Sequence, residues 1–240
     1  MLDFERRSVV VTGATGNLGH AVVRAYLEAG AHVAAPVRDA EKGRALREAV
    51  GALADDSGAS RLLIGDADPA DRGSMDVFVE RVLRTWGRLD ALANLAGGFG
   101  TGPADDIGRI RALWEQNVAT VVVSAAACLV PMRARAYGRI VSVSAAAALK
   151  GGRNTAGYAM AKSAVVRWTE SLAAETKEQG ITANAILPSS IDHPVNRANM
   201  PKADPKAWVQ PEEAAALILF LTSAAASGIT GAAIPITGRT

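Results

Sequence analysis

Cysteine occurs once in the 240 residues, at Cys128. No disulfide can form within the chain, and the cross-linked framework of a small secreted scaffold is excluded. Histidine is nearly as scarce: His20, His32 and His193 lie far apart, and with no Cys/His cluster no metal site is expected. Neither sign of charge dominates, since 26 Lys+Arg against 24 Asp+Glu give a formal +2. The basic residues form no block, so the footprint of a nucleic-acid binder is missing and no such partner is expected. Long hydrophobic runs are missing too. The longest, "VATVVVSAAACLVPM" (118–132), is interrupted by Thr120 and Ser124 and is shorter than the roughly 20 residues of a membrane span. It reads as a buried helix, with no membrane association. The opening "MLDFERRSVVVTGATG" puts charges before an apolar run, but that run enters a glycine turn, which reads as a first strand and not as a signal peptide. A cytoplasmic protein is expected.

What is present is a regular alternation in a chain that is 49% hydrophobic, long enough for one large domain. Apolar bursts at 8–13, 31–37, 61–66, 89–97, 138–144, 181–187 and 229–236 read as strands. Between them lie helical patterns up to Glu28 and over 39–53, 69–86, 104–131, 155–180 and 211–223. In 69–86 the apolar positions Met75, Phe78, Val79, Val82 and Leu83 share one helical face. Strands buried on both faces and separated by helices predict a Rossmann-type, doubly wound parallel α/β sheet of about seven strands, in three α/β/α layers, as a single domain over 1–240. The segment at about 188–210, rich in Pro, Asn and Asp, follows a strand where a substrate-covering loop would sit.

Two places carry chemistry. "TGATGNLG" sets Gly13, Gly16 and Gly19 three apart between the first strand and first helix, with Thr15, Asn17 and Leu18 in the same turn. Such a turn lets backbone N–H groups at a helix N-terminus approach a pyrophosphate. The second strand ends "APVRDAEK". A guanidinium at that tip suits the adenosine 2′-phosphate and a carboxylate suits the free hydroxyl, so Arg38 favours NADP(H), with Asp39 the competing contact for NAD(H). Farther on, Tyr158 and Lys162 are four apart on one helix face. A phenol is too weak an acid for ready proton exchange at neutral pH, and an ammonium one turn away is expected to lower its pKa.

With these motifs in order the chain resembles the single-domain short-chain dehydrogenase/reductase family over its whole length. The matching residues are the glycine turn, Asp66 in "IGDAD", "NLAG" (94–97), Asn117 in "EQNVAT", "YAMAK" (158–162) and the closing "GITGAAIPITG". The resemblance implies that Asp66 and Ala67 bind the adenine, and that Asn94, Ala96 and Gly97 pack against the cofactor. It implies that Pro188, Ser189 and Ile191 lie against the nicotinamide. Asn117 would position a water that links Lys162 to solvent, Lys162 would also hold the nicotinamide ribose, and Tyr158 would be the general acid/base. It further implies a homodimer or homotetramer, and a small-molecule substrate. Segments 192–208, 96–100 and 236–240 are similar to the dihydropteridine reductase branch.

The departures sharpen the question of activity. The glycine spacing is three-and-three, Leu95 replaces the second Asn of the fourth-strand motif, and Ser189 and His193 replace a glycine and a threonine. Where the family carries its catalytic serine this chain has Ala145, with Ser144 one position earlier. In a strand a one-residue shift reverses the side chain, so Ser144 substitutes only where strand geometry has ended. The leading expectation is an NADPH-dependent reductase of a small carbonyl or imine-like substrate. The alternatives are a dihydropteridine-type reductase, a group that works with Tyr and Lys and no such serine, and an NADP(H)-binding regulator without turnover.

Overall fold

The computed structural model describes residues 2–56 and 59–239. Seven strands form its main sheet: β1 (Ser8–Thr12), β2 (His32–Val37), β3 (Leu62–Asp66), β4 (Ala91–Asn94), β5 (Gly138–Val143), β6 (Ile181–Pro188) and β7 (Ala233–Ile236). They run in the order β3-β2-β1-β4-β5-β6-β7, all pairs parallel. The alternation in β1 explains the layers. Val9 and Val11 face one core and Val10 the other, and all five residues of the strand are buried. On the first face lie α1 (Asn17–Glu28), α2 (Ala40–Ala54) and α8 (Pro211–Thr222). On the second lie α3 (Arg72–Trp86), α5 (Thr120–Ala134) and α6 (Ala156–Thr176). Strand order reverses between β1 and β4, which opens a crevice at the carboxyl ends of the strands, where ligands bind in such sheets.

The predicted helix over 104–131 runs from Ile107 to Ala134 and is not uniform. A π-helical turn, Glu115–Ala119, joins α4 (Ile107–Trp114) to α5, the kind of insertion that re-aims side chains at functional sites. This helical stretch is long and apolar enough, by length and composition, to meet the criteria for a membrane span. In the fold, Ala125, Cys128 and Met132 of α5 are buried against α3 and the sheet, and Val121 is buried against α6. Other edges moved inward. The fourth strand stops at Asn94 and not at 97, and the last begins at Ala233 and not at 229 because Gly231 turns the chain with φ +75°. The helix predicted to reach 180 ends at Thr176, with a 3-10 turn carrying on to Gly180 at φ +70°. The irregular region after β6 holds a short helix, α7 (Pro194–Asn199), and a 3-10 turn at Pro205–Ala207. Its base is pinned where Ile191 bridges Val209.

Candidate active site

β1 delivers Thr12 and Gly13 to the crevice. The Thr12 hydroxyl accepts from the backbone N–H groups of Leu95 and Ala96, both at 3.2 Å, and so locks the end of β1 to the loop after β4. Gly13 has φ +66°, and a Cβ there would stand 2.8 Å from Ala96 N, so neither the conformation nor the space admits a side chain. Gly19 lies under the turn, where a Cβ would come within 2.6 Å of the Ala14 carbonyl carbon. Its lack of a side chain lets α1 begin close against the strand. The N-cap of α1 is Gly16, and no side chain among the described residues caps this helix. By contrast α3 and α4 are capped by the carboxylates of Asp71 and Asp106. Thr15, Gly16 and Gly13 line a cleft of about 750 Å³ together with Leu95, Ala96 and Gly97. An uncapped helix N-terminus at a cleft fits an anionic diphosphate.

An adjoining cleft of about 350 Å³ is lined by Val37, Arg38, Arg44, Arg47, Gly65 and Asp66. Asp39 stands next to Arg38, just before α2. Its carboxylate accepts from the backbone N–H groups of Glu41 and Lys42 at the start of α2. Arg47 is engaged by Ser60 Oγ and Leu62 O. Arg38 lies 3.8 Å from Asp68 in an exposed pair, a contact of small energetic weight. The Arg44 guanidinium has no partner among the described residues, and the cleft therefore holds an excess of positive charge.

At the other end of the large cleft, α6 and the π-turn meet. Lys162 is 5% exposed, and its Nζ donates to Val143 O at 3.0 Å. That nitrogen stands 5.8 Å from the centre of the Tyr158 ring. The π-turn places Asn117 so that Oδ1 accepts from Gly98 N at 3.1 Å while Nδ2 donates to Gly98 O and Leu113 O, both at 3.0 Å. A Cβ on Gly97 would lie 2.7 Å from Asn117 Oδ1 and 3.4 Å from Lys162 Nζ, so these groups converge where the cleft floor has no side chain. Burial pushes the Tyr158 phenol up to about 12 and the Lys162 ammonium down to about 8. The expected lowering of the phenol by its neighbouring ammonium is thus outweighed by desolvation of the pair.

Other sequence-selected positions serve the site from beneath or behind. Ala67 and Asn94 are buried, with Asn94 Nδ2 donating to Val121 O at 3.4 Å. Leu18 packs on the first core. Pro188 pairs with Ile236 in the sheet, the Ser189 hydroxyl donates to Thr237 O, and Ile191 bridges Val209. Both Nδ2 protons of Asn117 are engaged by backbone carbonyls, so its side chain braces the Gly98 loop, which the water-positioning role did not foresee. Ser144 differs more. It is 3% exposed, and its hydroxyl donates to the backbone carbonyl of Lys162 at 2.8 Å. The side chain fastens the end of β5 to α6. Ala145, the next residue, is extended at φ −161°. Sequence reasoning missed Thr12, Asp68 and Arg44. Thr12 was signalled by a hydroxyl ending an all-valine strand; Arg44 gave no signal in the linear chain. It also missed Phe99, whose ring meets that of Tyr158 edge to face at 5.1 Å and 77°.

A doubly wound sheet with a glycine turn at its switch point and a Tyr–Lys pair beside the cleft defines a dinucleotide-dependent oxidoreductase of the Rossmann type. The chain belongs to the short chain dehydrogenase family, whose pattern matches residues 7–204. It is 32% identical to a cis-4-hydroxycyclohexanecarboxylate dehydrogenase of Sinomonas cyclohexanicum over 251 residues, covering 98% of this chain and 96% of that protein. It is 27% identical to the 3-oxoacyl-[acyl-carrier-protein] reductase FabG of Escherichia coli (strain K12) over 258 residues, covering 99% and 98%. Among solved structures, levodione reductase superposes with a TM-score of 0.88 at 26% identity, over 98% of this chain and 97% of that one. The family works with NAD(H) or NADP(H).

Proposed function

We propose that this protein is an NADP(H)-dependent reductase of a small carbonyl or imine-like substrate, with Tyr158 as its proton donor. The observation that carries the reading is the convergence of Lys162, with Tyr158 beside it, and Asn117 at Gly97, which lines a cleft that also holds the uncapped N-terminus of α1. Thr15, Gly16 and the first turn of α1 would hold the diphosphate, Asp66 the adenine, and Arg38 with Arg44 the 2′-phosphate. Engagement of Asp39 by α2 and the unpartnered Arg44 both favour the phosphorylated dinucleotide. A bound nicotinamide ring supplies the hydride.

The rest is work for this chain's own residues. A phenol held neutral to about pH 12 is protonated throughout the physiological range and can give its proton to the substrate oxygen or nitrogen. Lys162, charged below about pH 8, stabilises the phenolate left behind. No serine hydroxyl assists at position 145, so proton donation by Tyr158 carries the charge stabilisation that the family shares between two groups. A single domain over 1–240, with 188–210 as its lid, acting in the cytoplasm as a homodimer or homotetramer, completes the proposal.

Fluorescence titration with NADPH and with NADH tests the cofactor. Tighter NADPH binding that is lost in Arg38→Ala and Arg44→Ala supports the reading, and preference for NADH overturns it. Turnover is tested by Tyr158→Phe, which is expected to lower kcat by at least about a hundredfold; an unchanged rate removes Tyr158 from the chemistry. A dihydropteridine-type substrate is the second reading. It is favoured by Ser144 being engaged by Lys162 O while position 145 is alanine, which leaves Tyr and Lys alone. An assay with quinonoid dihydropterin decides it.

A further inference from the structure

Phe99 is 68% exposed although it is a large apolar ring, and it stands edge-on to the ring of Tyr158. Its position is not an accident of a loose loop. On one side Asn117 holds both backbone groups of Gly98. On the other, Arg109 Nε donates to Thr101 O at 3.3 Å and Gly102 N donates to Asn154 O at 2.8 Å. The chain on either side of Phe99 is fastened, so the ring is presented next to the proton donor with most of its surface uncovered by protein. Exposing a ring of this size costs free energy unless something apolar covers it.

The topology gathers more such surface at the same place. β4, β5 and β6 are adjacent and parallel, so the loops after them share one end of the sheet. Each carries an exposed large apolar side chain: Phe99 after β4, Leu149 (65% exposed) after β5, and Val195 (55% exposed) with Met200 after β6. Arg38, Asp66 and the glycine turn line the dinucleotide end, and Glu115, Gln116 and Thr120 line the cleft beside Gly97, so Phe99 adds an apolar face at the rim of a polar lining.

We infer that Phe99 is the specificity-determining residue of this site, an aromatic wall that selects substrates whose carbonyl is borne on or beside an apolar ring over small open-chain ones. This rests on the oxidoreductase reading for the identity of the reacting group, but the selection itself is a matter of binding. Contact of a flat or puckered ring with an aromatic face is favourable beyond its buried area, and apolar pockets discriminate by the volume they fill.

The test separates binding from turnover. Cyclohexanone and acetone are titrated calorimetrically into the wild-type protein, Phe99→Ala and Phe99→Leu, with and without oxidised NADP, conditions under which neither ketone can be reduced. Expected is at least a tenfold preference for cyclohexanone in the wild type, falling below threefold in Phe99→Ala and lying between in Phe99→Leu. A wild type without the ring preference, or a preference unchanged in Phe99→Ala, overturns the inference. Turnover with NADPH is then measured on the same ketones. Ring preference without turnover refutes the reductase reading and leaves Phe99 as the selector; turnover without ring preference does the reverse. Because Phe99 is exposed, its variants are expected to fold with an unchanged melting temperature, and NADPH affinity within twofold of wild type confirms that the cofactor end is intact.

Discussion

The side-chain amide of Asn17 donates to the backbone carbonyl of Asp192 across 2.8 Å, joining the first turn of α1 to the foot of α7. One end of this bond is in the glycine turn and the other in the irregular segment after β6. Asp192 is itself held by Nε and Nη2 of Arg197 in the same segment, which ties the foot to α7.

Removing the amide frees that foot. A hydrogen bond of this kind contributes about 0.5–1.5 kcal/mol, so Asn17→Ala is expected to raise the open population of the segment about twofold to tenfold. The segment contains Arg197, Lys202 and Lys206. Limited trypsin digestion under conditions where cleavage follows the open population should cut there faster by the same factor. Equal digestion rates would show that the bond does not restrain the segment.

The buried lysine sets a pH limit. Burial lowers the Lys162 pKa to about 8 from 10.5, so the ammonium is present below pH 8 and lost above it. Since that charge stabilises the phenolate left by proton donation, kcat/KM for carbonyl reduction is expected to fall above about pH 8. Lys162→Met is expected to be slow at every pH and to lack this limb. The same shift acts on stability with the opposite sense. Between pH 8 and 10.5 the unfolded chain binds the proton that the folded chain has released, so this group's contribution to stability rises with pH across that window. A pH profile flat to 10 in the active enzyme would remove Lys162 from the chemistry.

Ser144 and Ala145 are separable by mutation. Ser144→Ala deletes the hydroxyl that holds the Lys162 carbonyl and is expected to cost about 1 kcal/mol of stability, with kcat within about threefold of wild type. Ala145→Ser restores a hydroxyl at the family position and is expected to raise kcat about tenfold, by sharing the developing charge. Chemical denaturation and steady-state kinetics on the two variants read the two effects. A large loss of kcat in Ser144→Ala at unchanged stability would instead make Ser144 the active hydroxyl.

At the root of α1 there is no room for a methyl group. A Cβ on Gly19 would overlap the carbonyls of Gly13 and Ala14, and both belong to backbone that cannot move aside. Gly19→Ala is expected to destabilise the protein by roughly 1–3 kcal/mol, the range of overpacked positions, and to weaken dinucleotide binding by distorting the turn. A melting temperature equal to wild type would mean that α1 can shift away at no cost.

How far the linear chain disclosed this molecule depends on the physical range of each signal. The valines of β1 and the one-sided apolar positions of α3 are short-range patterns, and the elements and layers followed from them with edges off by a few residues, whereas the strand order came only with the structure. The Tyr158–Lys162 pair and the glycine turn were also legible, because each is a spacing within one turn of chain. Ser144 was not, because its direction depends on where the Lys162 carbonyl lies across the sheet. Arg38 and Asp39 stood as competing contacts in the linear chain, and only the folded α2 shows Asp39 Oδ1 engaged by its first turn and Arg44 brought into the same cleft. A lone phenylalanine among glycines has no period to read, and only the packed α6 shows what Phe99 faces. The upward push that burial gives the Tyr158 phenol was not legible, because burial is a property of the assembled fold.

The glycine start of α1 has one more implication. The entries of α3 and α4 bring their own carboxylates, Asp71 and Asp106, whereas no side chain among the described residues caps α1, whose N-terminus is left for an anion in the cleft. A dinucleotide bound there stabilises the native chain by mass action, in proportion to the logarithm of its free concentration over Kd. In a cell, the survival of this protein against proteases would therefore track the size of the dinucleotide pool. A chain produced when that pool is depleted would be short-lived before it ever met a substrate.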